Sequence, residues 1–431
     1  MPARSIASWR SRVASPDRFV VNSDMSTHTD VAIVGGGIAG ASLAYALARE
    51  GLGVTVLEAT TEYPDRVRGE SMQCWGVAEA RELGVEQVLL DAGAHISATW
   101  NQYTQGSQEP APIPMNILVP GVDGTLNLRH PDACQALVDA AAAAGATVVR
   151  AVSHIELTRN GATTLAYEID GQRAELQPSL LVGADGRAST VRKQVGIELE
   201  RQEPISYIAG LLLEGLDEVP DDFDVLCGEG DRFFLVFHQG GGRARSYICS
   251  GLSSQHRFSG PEGTKRFLEA CTVDCYPWSA QVAAATPAGP CATYPGDDTW
   301  TAQPFVDGVV LIGDAAGHND PVIGQGLSIG MRDARIVRDL VLDGAREASA
   351  FASYGSERME RMRRLRLIAD ILAMIQAEDS DRLAARREVF GEKMATMDPS
   401  FFPLVLAAFT GPETAPAELV NESILDEIRA V

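Results

Sequence analysis

The sequence has few of the features that mark specialised protein classes. No apolar run reaches the roughly 18 residues needed to cross a bilayer, and the seven cysteines form no CxxC pair. Hydrophobic residues make up 45% and charged residues 22% of the chain, as in ordinary globular proteins. These absences exclude a membrane-spanning, disulfide-dense or mostly disordered protein, and we expect free thiols in a cytoplasmic protein.

Positive charge is scarce. Only Lys193, Lys265 and Lys393 are lysines among the 36 basic residues, and the formal net charge is −22. Nucleic-acid binding needs a basic surface that neutralises phosphates. We therefore expect no nucleic-acid partner, and we attribute the acidity to solubility.

The length of 431 residues corresponds to two or three packing units. Residues 1–28 are expected to form a disordered extension, in which Met25 is an alternative natural start. Patterns of apolar residues predict the elements that follow this extension. Strands are predicted at 30–34, 54–57, 148–157, 164–169, 180–183 and 308–313, antiparallel sheet over 203–260, and helices at 41–50, 131–144, 262–285, 326–343 and 346–390.

A glycine motif joins the first strand to the first helix. Gly35, Gly37 and Gly40 form GxGxxG there, and a second strand follows at 54–57. Gly35 permits the tight turn, Gly37 lets the backbone approach a pyrophosphate, and Gly40 allows close packing of helix on strand. The helix N-terminus directs free N–H groups at the phosphates, so this βαβ unit predicts a dinucleotide site.

Glu58 directly follows the second strand. A carboxylate at this place accepts hydrogen bonds from the hydroxyls of an adenosine ribose. It also repels a 2′-phosphate, because two like charges about 4 Å apart cost on the order of 4 kcal/mol near a protein surface. The motif therefore favours NAD or FAD over NADP.

Two further stretches carry a family resemblance. Residues 180–192 read LLVGADGRASTVR, and residues 313–326 read GDAAGHNDPVIGQG. In this order after the glycine motif, they resemble the para-hydroxybenzoate-hydroxylase-like flavoprotein monooxygenases. The resemblance spans about residues 29–345 and implies FAD as the cofactor.

The resemblance also implies cofactor-binding residues. Asp185 and Gly186 match the motif that contacts FAD and the pyridine nucleotide, and Arg192 closes that motif. Asp314 matches the aspartate at the ribityl chain, at the end of a buried strand where α/β folds bind ligands. The other implied cofactor residues are Pro321, Gly324 and Gly326 beside the isoalloxazine, with Arg66, Arg68 and Arg129 around it.

The fold implied is an α/β protein. It combines a Rossmann-like FAD-binding domain with an inserted, mostly antiparallel β-sheet domain for the substrate and a C-terminal helical segment. The expected borders are 29–100, 127–200 and 296–345 for the FAD domain, 101–126 and 201–295 for the substrate domain, and 346–431 for the helices.

The implied reaction is monooxygenation. NAD(P)H reduces the flavin, O2 adds at C4a as a hydroperoxide, and one oxygen atom passes to an aromatic, polyketide or alkene substrate. The pocket must exclude water to protect that hydroperoxide. The sequence has no second GxGxxG, so either NAD(P)H visits transiently or a partner flavin reductase delivers the electrons.

Substrate and proton-transfer residues are less defined by the sequence. Candidate substrate contacts are Phe233, Phe237, His238 and Tyr247, although an aromatic stripe also suits a core. His318 and Asp320 are candidate catalytic proton relays, with a cap or loop role as the alternative. No metal site or nucleophilic triad is expected.

Rival functions share this fold. Halogenation is disfavoured because no lysine precedes Lys193 and the Trp-x-Trp-x-Ile-Pro segment of the halogenases is missing. The loop at 69–71 (GES) keeps epoxidation and double-bond reduction open. An FAD-dependent reductase or dehydrogenase, a plain NAD dehydrogenase and a non-catalytic flavin-binding module remain alternatives. The arginine-rich stretch 357–367 predicts a solvated helix, with a membrane-surface helix as the second choice.

Overall fold

The computed structural model describes residues 28–67, 69–160, 162–255, 257–258 and 262–431. The predicted N-terminal extension lies outside these residues except for His28, which begins the first strand. Arg68, predicted beside the flavin, also lies outside them.

The described strands pair into four sheets. In chain order they are β1 (His28–Val34), β2 (Val54–Leu57), β3 (Ser71–Met72), β4 (His95–Ser97), β5 (Thr99–Thr104), β6 (Ala111–Pro114), β7 (Thr125–Asn127), β8 (Thr147–Val149), β9 (Ser153–Asn160), β10 (Ala162–Ile169), β11 (Gln172–Gly183), β12 (Glu200–Gln202), β13 (Ser206–Glu214), β14 (Phe223–Glu229), β15 (Arg232–Gly240), β16 (Arg243–Gly251), β17 (Thr286–Pro287), β18 (Ala292–Pro295), β19 (Asp298–Trp300), β20 (Phe305–Val306) and β21 (Val309–Leu311).

The described helices alternate with strands in the first half of the chain and dominate its end. They are α1 (Ile38–Arg49), α2 (Cys74–Glu82), α3 (Glu86–Asp91), α4 (His130–Ala143), α5 (Thr190–Gln194), α6 (Gly263–Ala270), α7 (Ser279–Ala284), α8 (Gly326–Leu342), α9 (Ala352–Gln376), α10 (Leu383–Ala395), α11 (Phe402–Thr410) and α12 (Ser423–Ala430). No helix in the described part of the chain is both long and apolar enough to span a bilayer.

The first sheet is the predicted parallel sheet. Its order is β20-β21-β11-β1-β2-β8, with parallel pairing from β21 to β8. The strands at its centre are continuous apolar runs because helices α1, α4 and α8 cover one face and the hairpin β9–β10 covers the other. The carboxyl ends of β1, β11 and β21 therefore meet at one edge, which is where this fold class binds ligands.

The second sheet is mostly antiparallel, as predicted. Its order is β17-β13-β16-β15-β14-β5-β6, and β14 with β5 is its parallel pair within the described residues. The tight turn between β15 and β16 uses Gly240, Gly241 and Gly242, all with positive φ, which only glycine adopts without strain. One face of this sheet packs on α6 and α7, and the other is covered by α9, α10 and α11.

Four predictions differ from the structure. The predicted helix at 346–390 is interrupted between Gln376, where α9 ends, and Leu383, where α10 begins. The predicted strand at 148–157 is split into β8 and β9, because Ala151 has a φ of 60° that interrupts a ladder. The predicted helix at 262–285 is interrupted between α6 and α7. The arginine-rich part of α9 is not a solvated helix throughout, since Arg358 and Arg361 are only 1% and 3% exposed.

Candidate active site

A cavity of about 970 Å³ begins at the carboxyl edge of the parallel sheet and continues over the covered face of the antiparallel sheet. It brings together most residues that the sequence singles out. The predicted residues that line it are Gly35, Gly37, Glu58, Arg66, Asp185, Gly186, Phe233, Phe237, Tyr247, Asp314, His318, Pro321, Gly324 and Gly326. Gly40, Arg129, His238 and Asp320 are not among its lining residues.

The glycine motif forms the first wall. Gly35 has a φ of 104°, and a Cβ there would lie 2.4 Å from the Ala184 carbonyl oxygen. A Cβ on Gly40 would lie 2.0 Å from the Gly35 carbonyl oxygen, so Gly40 serves helix packing behind the wall. Gly37 has open space in front of it and caps α1 without a side-chain hydrogen bond. The first N–H groups of α1 thus face the cavity without a side-chain partner.

Glu58 follows β2 and is 8% exposed. Its Oε2 accepts a hydrogen bond from the Gly36 N–H at 2.7 Å, and its Oε1 accepts from the N–H and hydroxyl of Thr60, both at 2.8 Å. The Tyr63 hydroxyl donates to the Gly36 carbonyl oxygen at 2.6 Å. These bonds fix the carboxylate beside the glycine turn and leave lone-pair capacity for further donors.

The Asp-Gly motif turns back on its own helix. Asp185 Oδ2 accepts from the Thr190 N–H at 2.6 Å and from the Val191 N–H at 3.2 Å, so the carboxylate caps α5. Gly186 has a φ of 75° and open space around it. Arg192 donates to the carbonyl oxygens of Ala315 and Arg187, each at 3.0 Å. It thereby ties this motif to the loop that carries Asp314.

Asp314 lies in the loop after β21. Its carboxylate is 30% exposed and pairs with Arg187 at 3.4 Å. Farther along, Gly324 has a φ of 63°, and α8 begins at Gly326 without a side-chain cap. A second uncapped helix N-terminus therefore faces the same cavity.

This arrangement fits FAD. Glycines leave open space where a side chain would fill the groove, and two helix N-termini offer unpartnered N–H groups at places suited to a pyrophosphate and to the flavin pyrimidine. Asp314 and Glu58 both line this groove, where their carboxylates can accept hydrogen bonds from hydroxyl groups.

His318 lines the cavity four residues after Asp314. Its Nδ1 lies 2.8 Å from the Thr299 hydroxyl, and its Nε2 lies 3.2 Å from Asp297 Oδ1. Burial chiefly lowers the pKa of His318, and Arg187 lowers it further, against the opposing effects of Asp314 and Asp297. The imidazole is therefore held neutral between two oxygen partners.

Asp320 is placed behind this wall. It is 5% exposed, and its Oδ1 accepts from the Val322 N–H at 2.8 Å, so it caps the short 3-10 turn at Pro321–Ile323. Burial raises the pKa of Asp320 to about 7. This geometry is that of the cap role, not of a residue in contact with the cavity.

Two other predicted residues point away from the cavity. The side chain of His238 lies on the opposite face of β15 from Phe233 and Phe237, because successive strand residues alternate. It is 1% exposed, and burial lowers its pKa to about 4. The Arg129 guanidinium pairs with Asp132 at 2.7 Å at the start of α4.

The roof of the cavity was not predicted from the sequence. Helices α9, α10 and α11 contribute an apolar set that faces the sheet: Leu372, Ile375, Phe390, Met394, Phe401, Val405, Ala408 and Phe409. Trp100 of β5 joins the two sides, with ring centroids 5.4 Å from Phe237 and 5.1 Å from Phe409. The apolar stretch FFPLVLAAF at 401–409 was the available signal.

A buried ion cluster fixes the loop below the flavin groove. Arg245 Nε donates to Glu70 Oε2 at 2.8 Å, and Arg245 also pairs with Asp65 at 3.0 Å. Gln239 donates to Glu70 Oε2 at 2.7 Å. Because Glu70 also lines the cavity, the cluster attaches the cavity wall to β15 and β16.

Sequence comparison relates the chain to flavoproteins. Residues 28–366 match the FAD_binding_3 family, an FAD binding domain. The chain is 27% identical to squalene epoxidase erg1 of Aspergillus fumigatus over 83% of this chain and 77% of that protein. It is 26% identical to 3-demethoxyubiquinol 3-hydroxylase of Escherichia coli, over 76% of this chain and 83% of that protein.

Structural comparison shows the same fold. The anhydrotetracycline hydroxylase OxyS from Streptomyces rimosus superposes with a TM-score of 0.68 at 19% identity, covering 89% of this chain and 76% of that one. The flavin-dependent brominase Bmp2 superposes with a TM-score of 0.72 at 17% identity, over 94% of this chain and all of the other.

Proposed function

This chain belongs to the FAD binding domain family of flavin-dependent monooxygenases, and on that basis we propose that it transfers one oxygen atom of O2 to a large, neutral and mostly apolar substrate. NAD(P)H or a partner flavin reductase supplies the electrons. The observation that carries this proposal is the continuity of the cavity, which joins the cofactor groove to an apolar chamber.

The chamber indicates the class of substrate. Its floor is the face of β15 that carries Phe233, Leu235 and Phe237, and its roof is formed by α9, α10 and α11. Among its described lining residues in the sheet and these helices, Arg387 is the charged one. Arg387 already donates to the carbonyl oxygens of Gly230, Arg232 and Gln376. A substrate carboxylate would therefore find no free cation there.

The names of the relatives suggest two classes of substrate to test. Squalene epoxidases and a 6-methylpretetramide 4-monooxygenase of Streptomyces rimosus are both among them. An extended alkene and a polycyclic aromatic compound are thus the two forms to test. Both would make mainly van der Waals contacts with this lining.

Bound FAD would supply the oxygen-activating redox chemistry. The roles proposed for this chain are binding, orientation and exclusion of water. The α1 N-terminus and Glu58 hold the adenosine and pyrophosphate half, and Arg66, Asp185 and Gly186 flank the groove. Asp314, Pro321, Gly324 and Gly326 hold the flavin half, and the aromatic lining keeps water from the reacting end.

His318 is the proposed proton-handling residue. Its neutral ring can accept a proton at one nitrogen while the other remains bonded to its oxygen partner. Asp297 Oδ2 pairs with Arg201 at 2.9 Å, and Arg201 is 54% exposed. The Arg201 pair thus holds the Asp297 carboxylate in place as the partner of the His318 ring.

Two measurements test the proposal. The purified protein is expected to be yellow, and Asp314→Ala should lose most of its FAD, whereas Asp343→Ala at an exposed helix end should keep it. Full FAD occupancy in Asp314→Ala would contradict the assignment of the groove.

The second measurement is a screen of alkenes and polycyclic aromatics with NAD(P)H, with and without a flavin reductase. Products are analysed by mass for one added oxygen atom, and O2 uptake is recorded. Products that gain two hydrogens without O2 uptake would indicate a reductase. FAD binding with neither turnover nor O2 uptake would indicate a flavin-binding module.

A further inference from the structure

One face of α9 contacts the end of β21 and the loop that follows it, residues 313–317, which carries Asp314. Tyr354, Arg358 and Arg361 lie one helical turn apart and are 0%, 1% and 3% exposed. The Tyr354 hydroxyl donates to the Leu311 carbonyl oxygen at 2.9 Å, at the last residue of β21. The helix therefore contacts the strand just where the Asp314 loop begins.

Arg358 donates hydrogen bonds to three residues of that loop. Its guanidinium donates to the carbonyl oxygens of Gly313 at 3.1 Å, Ala316 at 2.9 Å and Gly317 at 2.8 Å. Asp314 lies between these bonded residues and makes none of these bonds itself. Its carboxylate is thus left available to the cavity while the backbone on both sides is held.

Asp333 of α8 completes the arrangement. Its Oδ2 accepts from the Gly313 N–H at 2.8 Å and from Arg358 Nε at 3.0 Å. Its Oδ1 accepts from Arg361 at 2.7 Å. Asp333 is fully buried, so both charges of the Asp333–Arg358 pair are removed from water.

The loop itself needs external support. Gly313 and Gly317 have φ angles of 58° and 113°, and the carbonyl oxygens of Gly313, Ala316 and Gly317 accept hydrogen bonds from the Arg358 side chain. A buried ion pair alone is weak evidence of a stabilising role, because apolar residues often replace such pairs without loss. Apolar side chains, however, could not supply donors to three buried carbonyl oxygens.

We propose that Arg358, oriented by Asp333, is a positioning residue that holds the Gly313–Gly317 loop in the conformation that presents Asp314 to FAD. The inference rests on the FAD site proposed above, and not on oxygen transfer. It makes α9 part of the cofactor site, although the sequence placed 346–431 in a separate helical region. The family match, which ends at residue 366, includes Tyr354, Arg358 and Arg361.

The test compares FAD with ADP as ligands of the apoprotein. ADP occupies the half of the groove formed by α1 and Glu58, whereas FAD also needs the Asp314 loop. For Arg358→Gln we expect the Kd for FAD to rise about tenfold or more, since charge-assisted hydrogen bonds are lost. The Kd for ADP should change by less than about twofold. Arg358→Lys should also weaken FAD, because an ammonium group cannot reach three carbonyl oxygens as a guanidinium fork does.

The matched control is Arg363→Gln on the same helix. Arg363 is 46% exposed and pairs with Glu360, so FAD and ADP should bind this variant as they bind the wild type. The visible circular dichroism of bound FAD supplies a second readout, and it should change in Arg358→Gln but not in Arg363→Gln.

Two results would overturn the proposal. One is an Arg358→Gln protein that melts at a lower temperature but binds FAD and ADP with unchanged Kd, and the other is equal weakening of both ligands. If Arg358→Gln does not fold, Arg358→Lys decides, because it keeps a positive charge beside Asp333 and loses the fork that reaches three carbonyl oxygens. Selective weakening of FAD supports the inference, and unchanged FAD binding rejects it. A wild-type protein that binds no FAD would instead reject the cofactor site itself.

Discussion

Neighbouring residues of one loop differ sharply in what their side chains can reach. His318 lines the cavity, Asn319 donates to Asp298 at 2.6 Å, and Asp320 caps the next turn behind the wall. The backbone requirements of two motif glycines could be predicted because they are local: Gly35 has the positive φ of the expected tight turn, and Gly37 has open space in front of it. Their contacts with the cofactor stay a prediction. The roles of His238 and Asp320 depend on the direction in which each side chain points, and the sequence does not specify that direction.

The buried carboxyl of Asp320 predicts a pH-dependent stability. Its pKa is raised to about 7, mainly by burial and further by Asp298, Asp370 and Asp297. The unfolded value is about 3.9, so the folded state binds this proton more tightly, and its contribution to stability is lost as pH rises through the folded pKa. The slope is at most about 1.4 kcal/mol per pH unit.

Asp320→Asn should remove that contribution, because the amide stays neutral and its oxygen can still accept from Val322. Urea unfolding of the FAD-bound protein at roughly pH 5, 6 and 7 should show the variant gaining stability relative to wild type as pH rises. Asp343→Asn, at an exposed helix end, is the control and should run parallel to wild type. Parallel curves for Asp320→Asn would show that Asp320 does not titrate in this range.

At the scale of elements, the sequence predicted those whose signal is local and continuous. The apolar strands β1, β2 and β21 and the helix α8 lie where expected, since their periodicity and glycine boundaries are complete within each segment. The predicted strand at 148–157 was wrong, because nothing in the apolar pattern reveals the positive φ of Ala151. The burial of Arg358 also escaped prediction, since its partners are supplied by α8 and the loop after β21.

The Glu70–Arg245 cluster joins elements that are distant in sequence, and its removal should be costly. Arg245→Met leaves the fully buried Glu70 carboxylate without its cation and the partly buried Asp65 without its ion pair, so the free energy of unfolding should fall by about 3–5 kcal/mol. Urea unfolding measures this difference. Arg243→Met on the same strand is the matched control, since Arg243 is 37% exposed and lies 3.8 Å from Glu214, and should cost less than about 1 kcal/mol. Equal losses in the two variants would mean that the cluster contributes no more than a surface pair.

For the whole molecule, the chamber is produced by contacts between distant parts of the chain. Trp100 of β5, Phe237 of β15 and Phe409 of α11 come together although more than a hundred residues separate each from the next. The sequence indicated an aromatic stripe and a C-terminal helical region separately. Their closure over each other could not be predicted, because it depends on how α9 turns the chain back onto the sheet. The domain borders drawn from the sequence likewise remain a prediction.

The roof should therefore control what the chamber admits. Val405 of α11 lines the cavity and is 7% exposed, whereas the adjacent Leu406 is partly exposed and does not line it. Val405→Trp should fill part of the chamber without altering the FAD groove. Binding of Nile red, a neutral apolar fluorophore, to the FAD-bound protein should weaken about tenfold, the equivalent of about 1.4 kcal/mol.

Leu406→Trp adds the same ring outside the chamber and should bind Nile red as the wild type does. FAD content and melting temperature, measured on both variants, separate a filled chamber from a damaged fold. If Val405→Trp binds Nile red with unchanged affinity while retaining FAD, the apolar ligand does not occupy the space between α11 and the sheet. The proposed substrate chamber would then have to be placed elsewhere along the cavity.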